Sequence, residues 1–125
     1  MQNLLENWQE ARDASKSAHL MANDALKELT DYAKRQGSRN SDKFYLIYTN
    51  MVNQALFDKE FLVKNKGKIR ENLDAFSLDI LQTADTLLAY TVTEFMEQGV
   101  PYKEIFQQAK KRVHRLASSF RRSSL

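Results

Sequence analysis

Few side chains here can carry out chemistry: two histidines, His19 and His114, and sixteen Asp and Glu residues, with no cysteine in the 125-residue chain. A zinc site needs three or four ligands at suitable spacing, and neither histidine has a second ligand one helical turn away. Without cysteine there is no thiolate metal site, no disulfide and no thiol nucleophile. Glu94 and Glu97 stand one turn apart, but on a face that reads as solvated. No glycine-rich turn opens onto a nucleophile. The expectation is a protein that is not an enzyme and that takes no metal and no cofactor.

Asp85 is the carboxylate that stands out. It falls inside an apolar sector, with Leu78, Leu81, Ala89, Val92 and Met96 beside it on the helical wheel. A buried carboxylate is costly unless paired or hydrogen-bonded. It therefore needs either an internal partner, with Arg112 and Tyr48 as candidates, or a partner chain.

Positive charge is the other resource. Residues 102–122, YKEIFQQAKKRVHRLASSFRR, hold eight Lys, Arg or His and one acid. Residues 101–125 sum to +6 and the remainder to −3, within a net charge of +3. On a wheel, Lys103, Lys110, His114 and Arg121 form one stripe, and Lys111, Arg115 and Arg122 a second. Such stripes can hold phosphates by releasing counterions, can meet an acidic protein, or can be the solvated back of a helix, where cations near the C-terminus also oppose the macrodipole. Lys64, Lys66, Lys68 and Arg70 surround Gly67 in a second basic cluster. It offers backbone N–H groups and lysines to a phosphate but lacks the GxxxxGK[ST] pattern of a phosphate loop.

The elements that must position these residues are helices. Three glycines and one proline, at Gly37, Gly67, Gly99 and Pro101, fall where apolar periodicity breaks. The spacing predicts helices over about 2–36, 42–57, 74–98 and 101–120, with an irregular basic loop over 58–73. The first carries a seam of Trp8, Ala11, Ser15, Ala18, Ala22, Ala25, Leu29 and Tyr32 at alternating spacings of four and three. Such a helix would span roughly 50 Å, more than a compact domain of this length accommodates. It is expected to break near residues 14–17 or to pack on a second copy of the chain. Trp8, Ala11, Ala18 and Ala22 of this helix, with Asp85 of the third, are the candidate protein-interface residues, Trp8 being either a core anchor or an exposed hot spot.

The second helix, with Phe44, Ile47, Tyr48, Met51 and Ala55 as its stripe, reads as largely buried, and Ser41 or Asp42 can cap it. Asp74 or Ser77 opens the third, which reads as central. The fourth places Tyr102, Phe106, Ala109, Val113, Leu116 and Phe120 on one face. The fold class is all-α, one domain, an antiparallel bundle of about four helices. No apolar run approaches the roughly 20 residues of a membrane span, and the first residues lack a signal pattern. A cytoplasmic protein is expected.

The stretches DKFYLIYTNMVNQAL (42–56), RENLDAFSLDILQTADTLL (70–88) and EQGVPYKEIFQQAKKRV (97–113) resemble a helical segment of small prophage proteins of Gram-positive bacteria, also found in accessory regions of Rha-type and antirepressor-type regulators. The resemblance covers about residues 42–113, and its shared words are mostly core and capping residues. It implies a mobile-element protein in a bacterial host cell that acts by binding. The first expectation is a stoichiometric inhibitor or modulator of a host nucleic-acid-handling or defence protein, as anti-CRISPR proteins are. The alternatives are a nucleic-acid-binding phage regulator that uses the basic last helix, and an immunity-type or structural helical protein.

Overall fold

The computed structural model describes the backbone of residues 4–123 and the side chains of 5–120. Five α-helices follow one another, with no strand among the described residues: α1 (Leu4–Arg35), α2 (Phe44–Leu56), α3 (Lys59–Lys64), α4 (Ala75–Glu97) and α5 (Tyr102–Ser123). Short 3-10 turns at Ser41–Lys43 and Arg70–Asn72 precede α2 and α4. The arrangement is an all-α bundle with a long first helix.

Glycines stop the helices where the sequence places them. Gly37, at φ +90°, follows α1; the Ser38 N–H bonds Ala33 O at 2.9 Å and the Gly37 N–H bonds Lys34 O at 3.0 Å. Gly99, at φ +73°, ends α4 with the same pair of bonds, from Val100 to Phe95 and from Gly99 to Met96. Both turns need the left-handed backbone that glycine adopts without strain. Asp74 caps α4 by accepting from the Ser77 N–H at 2.7 Å. That bond holds the Asp74 carboxyl below the usual carboxylate range. Neither Ser41 nor Asp42 caps α2 through its side chain; Ser41 is buried instead.

α1 runs unbroken for 32 residues, about 48 Å. It neither kinks at residues 14–17 nor needs a second chain, because α4 lies along it and covers its seam. Ala11, Ser15, Ala18, Ala22, Ala25, Leu26, Leu29 and Ala33 are all buried within the one chain. The expected use of Ala11, Ala18 and Ala22 as an interface for a partner chain is therefore corrected: their small side chains let α4 approach α1 closely. The excess length of α1 is its first turn, where Leu5 is exposed.

α4 is the central helix, against α1 on one side and α5 and α2 on the others. Leu29, Leu78, Val92, Ile105 and Val113 are fully buried at the junctions, each stabilising by roughly 1.5–3 kcal/mol. On α5 the buried line is Ile105, Ala109, Val113 and Ala117, while the larger Tyr102, Phe106 and Leu116 pack at its margin. At one end of the bundle the close of α1 is tied to the turn between α4 and α5: the Tyr32 hydroxyl donates to Val100 O, and the Tyr102 N–H bonds Gln36 Oε1 at 2.9 Å.

The 58–73 segment is more ordered than an irregular loop. Asp58 accepts the Phe61 N–H at 2.8 Å and starts α3. Phe61 packs on Phe57 with ring centroids 5.3 Å apart. Leu73 is buried, and its carbonyl accepts from Trp8 Nε1 at 2.8 Å. Trp8 is thus a half-buried core anchor that fastens this segment to α1.

Candidate functional site

α2 contains no Asp, Glu, Lys or Arg. A charge-free helix reads as buried, yet only Phe44, Tyr48, Met51, Val52 and Ala55 are. Tyr45, Leu46 and Ile47 are exposed at 48%, 59% and 39%, so the reading of α2 as largely buried, with Ile47 in its core stripe, is corrected. The outer arc of α2 is Tyr45, Leu46, Ile47, Thr49, Asn50, Asn53 and Gln54: aromatic, aliphatic, hydroxyl and amide, without a charge.

Cations stand on both sides of that arc. On one side α2 faces α1 and the 62–71 stretch across a cleft of about 690 Å³. Arg12, Lys16, His19, Lys66 and Arg70 line it, against two acids, Glu71 and Asp85. On the other side, grooves of about 240 and 520 Å³ separate α2 from α5 and are lined by Lys110, His114 and Lys103. Lys111 and Arg115 are also exposed, but they point away from α2 round the α5 wheel. The side chains of Arg121 and Arg122 lie outside the described residues.

Asp85 is buried on the cleft floor. Its partner is neither Arg112 nor Tyr48 but Arg70, whose Nη2 donates to Asp85 Oδ2 at 3.0 Å and whose Nε donates to the buried Ser15 hydroxyl at 3.1 Å. His19 Nδ1 lies 3.4 Å from the same Asp85 oxygen, and His19 Nε2 lies 3.3 Å from the Tyr45 hydroxyl. Two readings are corrected together. Asp85 does not face a partner chain, and Arg70 is not a free loop cation. Removing one member of a half-buried pair of this kind leaves the other uncompensated.

The remaining cations differ in how free they are. Lys64 reaches Glu60 at 3.4 Å on the surface. Arg112 pairs with Glu94 at 3.3 Å, bonds the Thr91 hydroxyl and lies over the Phe95 ring. Arg12 sits over Trp8 and 3.7 Å from Glu71. Lys16, Lys66, Lys68, Lys103, Lys110 and Lys111 form no ion pair among the described residues. No group of three or more His, Asp and Glu able to hold a metal occurs among the described residues. No helix there is long and apolar enough to cross a membrane.

The sequence reading missed Tyr45, Leu46, Asn50, Asn53 and Gln54, together with Lys16 across the cleft. The signal was available: Thr49-Asn50 and Asn53-Gln54 recur four residues apart, which puts four polar side chains on one sector of α2.

Comparison with family models, with curated proteins and with solved structures finds no match to the chain. The likeness of residues 42–113 to prophage segments thus rests on its quoted words alone.

Proposed function

We propose that the protein is a non-enzymatic, mobile-element-type binding protein that docks stoichiometrically on a nucleic-acid-handling or defence protein of its bacterial host and inhibits or modulates it. One observation carries this reading: the exposed, charge-free arc of α2 runs between two cationic walls, Lys16 and Lys66 on one side and Lys103 and Lys110, beside His114, on the other. Interface centres are depleted in charge and rich in aromatic side chains, with charges at the rim. Tyr45, Leu46 and Ile47 fit the centre, and the lysines suit an acidic surface such as that of an enzyme carrying bound RNA. Rim charges of this kind chiefly speed and steer association.

The test places a photo-crosslinking residue at Leu46 or, as a control on the far side of the bundle, at Tyr90, which is 67% exposed. In a Gram-positive host, the Leu46 probe is expected to join one defence or replication protein, and the purified chain to inhibit that protein at a one-to-one ratio. Adducts formed equally from Tyr90, or none from Leu46, would remove the proposal.

A second reading has its own observation: Lys103, Lys110, Lys111, His114 and Arg115 are all exposed along α5. A nucleic-acid-binding regulator would use that stripe. It predicts binding that weakens steeply with salt, and more weakly in Lys110→Glu and Lys111→Glu. No gel shift at about 50 mM salt, where phosphate contacts are strongest, would end it.

A further inference from the structure

The cleft between α1 and α2 has features that a flat docking face does not require. Its volume of about 690 Å³ lies within the roughly 300–1,000 Å³ typical of small-molecule sites. Its base is mostly apolar, formed by Leu26, Val52, Leu81 and Leu88 beside the Arg70-paired Asp85. Three of the side chains that line it carry buried polar atoms without a hydrogen bond from the protein: Arg12 Nε, His19 Nδ1, which lies 3.4 Å from Asp85 Oδ2, and Asn23 Oδ1. Buried polar atoms in folded proteins are nearly always hydrogen-bonded; these are closed off from the cleft as the side chains stand, and a turn of the Asn23 amide would present it to a ligand.

Charge narrows the class of ligand. Asp85 is held by Arg70 at 3.0 Å, and Glu71 lies 3.7 Å from Arg12. Both acids are thereby engaged, while Lys16 and Lys66 remain without an ion pair at the exposed edge. Lys16 and Asn23 lie about two turns apart on α1, roughly 10 Å along its axis. An anion at the lysines and a hydrogen-bonding ring edge at Asn23 would thus fit one molecule about the length of a mononucleotide. Across the cleft, Asn50, Asn53 and Gln54 of α2 offer the amide groups that pair with base edges.

We infer that this cleft binds a nucleotide, with the phosphate between Lys16 and Lys66 and the base on the apolar floor between Asn23 and the α2 amides. The ligand chemistry is a phosphorylated base, carried by a free mononucleotide or by the end of a nucleic-acid strand. The cleft shares Lys16, Lys66 and the α2 amides with the docking face, but the two fail separately: crosslinking from Leu46 reads docking, and Asn23→Leu reads the cleft alone.

The experiment is a nitrogen–proton correlation titration of the full chain with AMP, with UMP, with a short single-stranded oligonucleotide and with inorganic phosphate alone. The expected result is saturable shifts confined to residues 12–26, 45–54 and 66–71. Affinity for a nucleotide or the strand should exceed that for phosphate by about tenfold or more. A strand that binds more tightly than AMP or UMP identifies the strand end as the source, and the reverse identifies the free nucleotide. Lys16→Glu with Lys66→Glu, checked for helicity, should weaken binding about tenfold or more. Asn23→Leu should reduce nucleotide binding and leave phosphate binding unchanged, and Lys27→Glu, exposed on α1 outside the cleft lining, should change neither. The inference is overturned by the absence of saturable shifts up to about 5 mM ligand, a concentration weaker than any useful site. It is equally overturned by phosphate matching the nucleotides, by shifts confined to α5, or by undiminished binding in the double variant.

Discussion

The 64–70 segment and helix α5 both carry clustered cations, and they spend them differently. On α5 the lysines point outward, and among the described residues Arg112 alone of its cations turns back to a partner, Glu94 on α4. In the 64–70 segment Arg70 points inward, and its guanidinium joins Ser15 of α1 to Asp85 of α4. That single side chain holds the segment against two helices and so builds a wall of the cleft. Clustered positive charge in a sequence therefore says little about free charge on a surface. What decides is whether a buried carboxylate lies within reach.

Four outcomes, from the largest to the smallest, test this contrast and the packing around it. Arg70→Ala should lower unfolding stability by about 3 kcal/mol or more, since it leaves Asp85 buried without its partner. Arg112→Ala, whose pair with Glu94 is half exposed, should cost no more than about 1 kcal/mol. Urea denaturation of both variants measures the contrast.

Next comes the cap that follows the segment. Asp74→Ala should cost about 1 kcal/mol. The Ser77 N–H lowers the folded pKa of Asp74 below its unfolded value. Its contribution is therefore complete above the unfolded pKa, about 4, and fades as pH falls through the lower folded value. The gap between wild type and Asp74→Ala should close in acid, which denaturation at a series of pH values will read.

Tyr48 supplies a smaller change of opposite sign. Its hydroxyl is buried without a partner, and burial raises its pKa well above the ordinary tyrosine value. Tyr48→Phe should be neutral or raise stability by up to about 1 kcal/mol. A raised folded pKa means that the tyrosine's contribution is intact below the unfolded value, near 10, and is lost as pH rises beyond it. Wild type should therefore lose stability in alkali more steeply than Tyr48→Phe, as thermal melts above neutrality would record.

The smallest effects belong to α5. Lys110→Ala and Arg115→Ala should each leave stability within about 0.5 kcal/mol of wild type. A larger loss at either would show that α5 also uses its cations internally, and the contrast between the two regions would fail.

How much of this was legible in the sequence follows from where the interactions run. The end of α1 at Gly37, the cap at Asp74 and the stop at Gly99 are local, and local chemistry specifies them. The apolar periodicity of α1 and α4 was equally readable, because one helix face is one pattern. On α5 the predicted seam includes the buried Ala109 and Val113, with Phe106 and Leu116 at the core's margin; Ile105 and Ala117, also buried, lie to one side of it. α3 is a six-residue helix, too short for periodicity to reveal. The cleft was out of reach for another reason. Arg70 and Asp85 are fifteen positions apart, and Ser15 lies in a different helix, so only tertiary packing brings the three together. The exposed arc of α2 is hidden in the sequence because apolar residues run round most of the helix, and Tyr45, Leu46 and Ile47 are exposed all the same.

The central claim is that the Arg70–Asp85 pair holds the wall of the cleft and thereby shapes the face beside α2. A double-mutant cycle with Arg70→Met, Asp85→Leu and the two combined, read by urea denaturation, tests it most directly. The account predicts that each single change is strongly destabilising and that the double variant recovers much of the loss, with a coupling of about 2 kcal/mol or more. Single changes that simply add, with coupling within about 0.5 kcal/mol of zero, would contradict it.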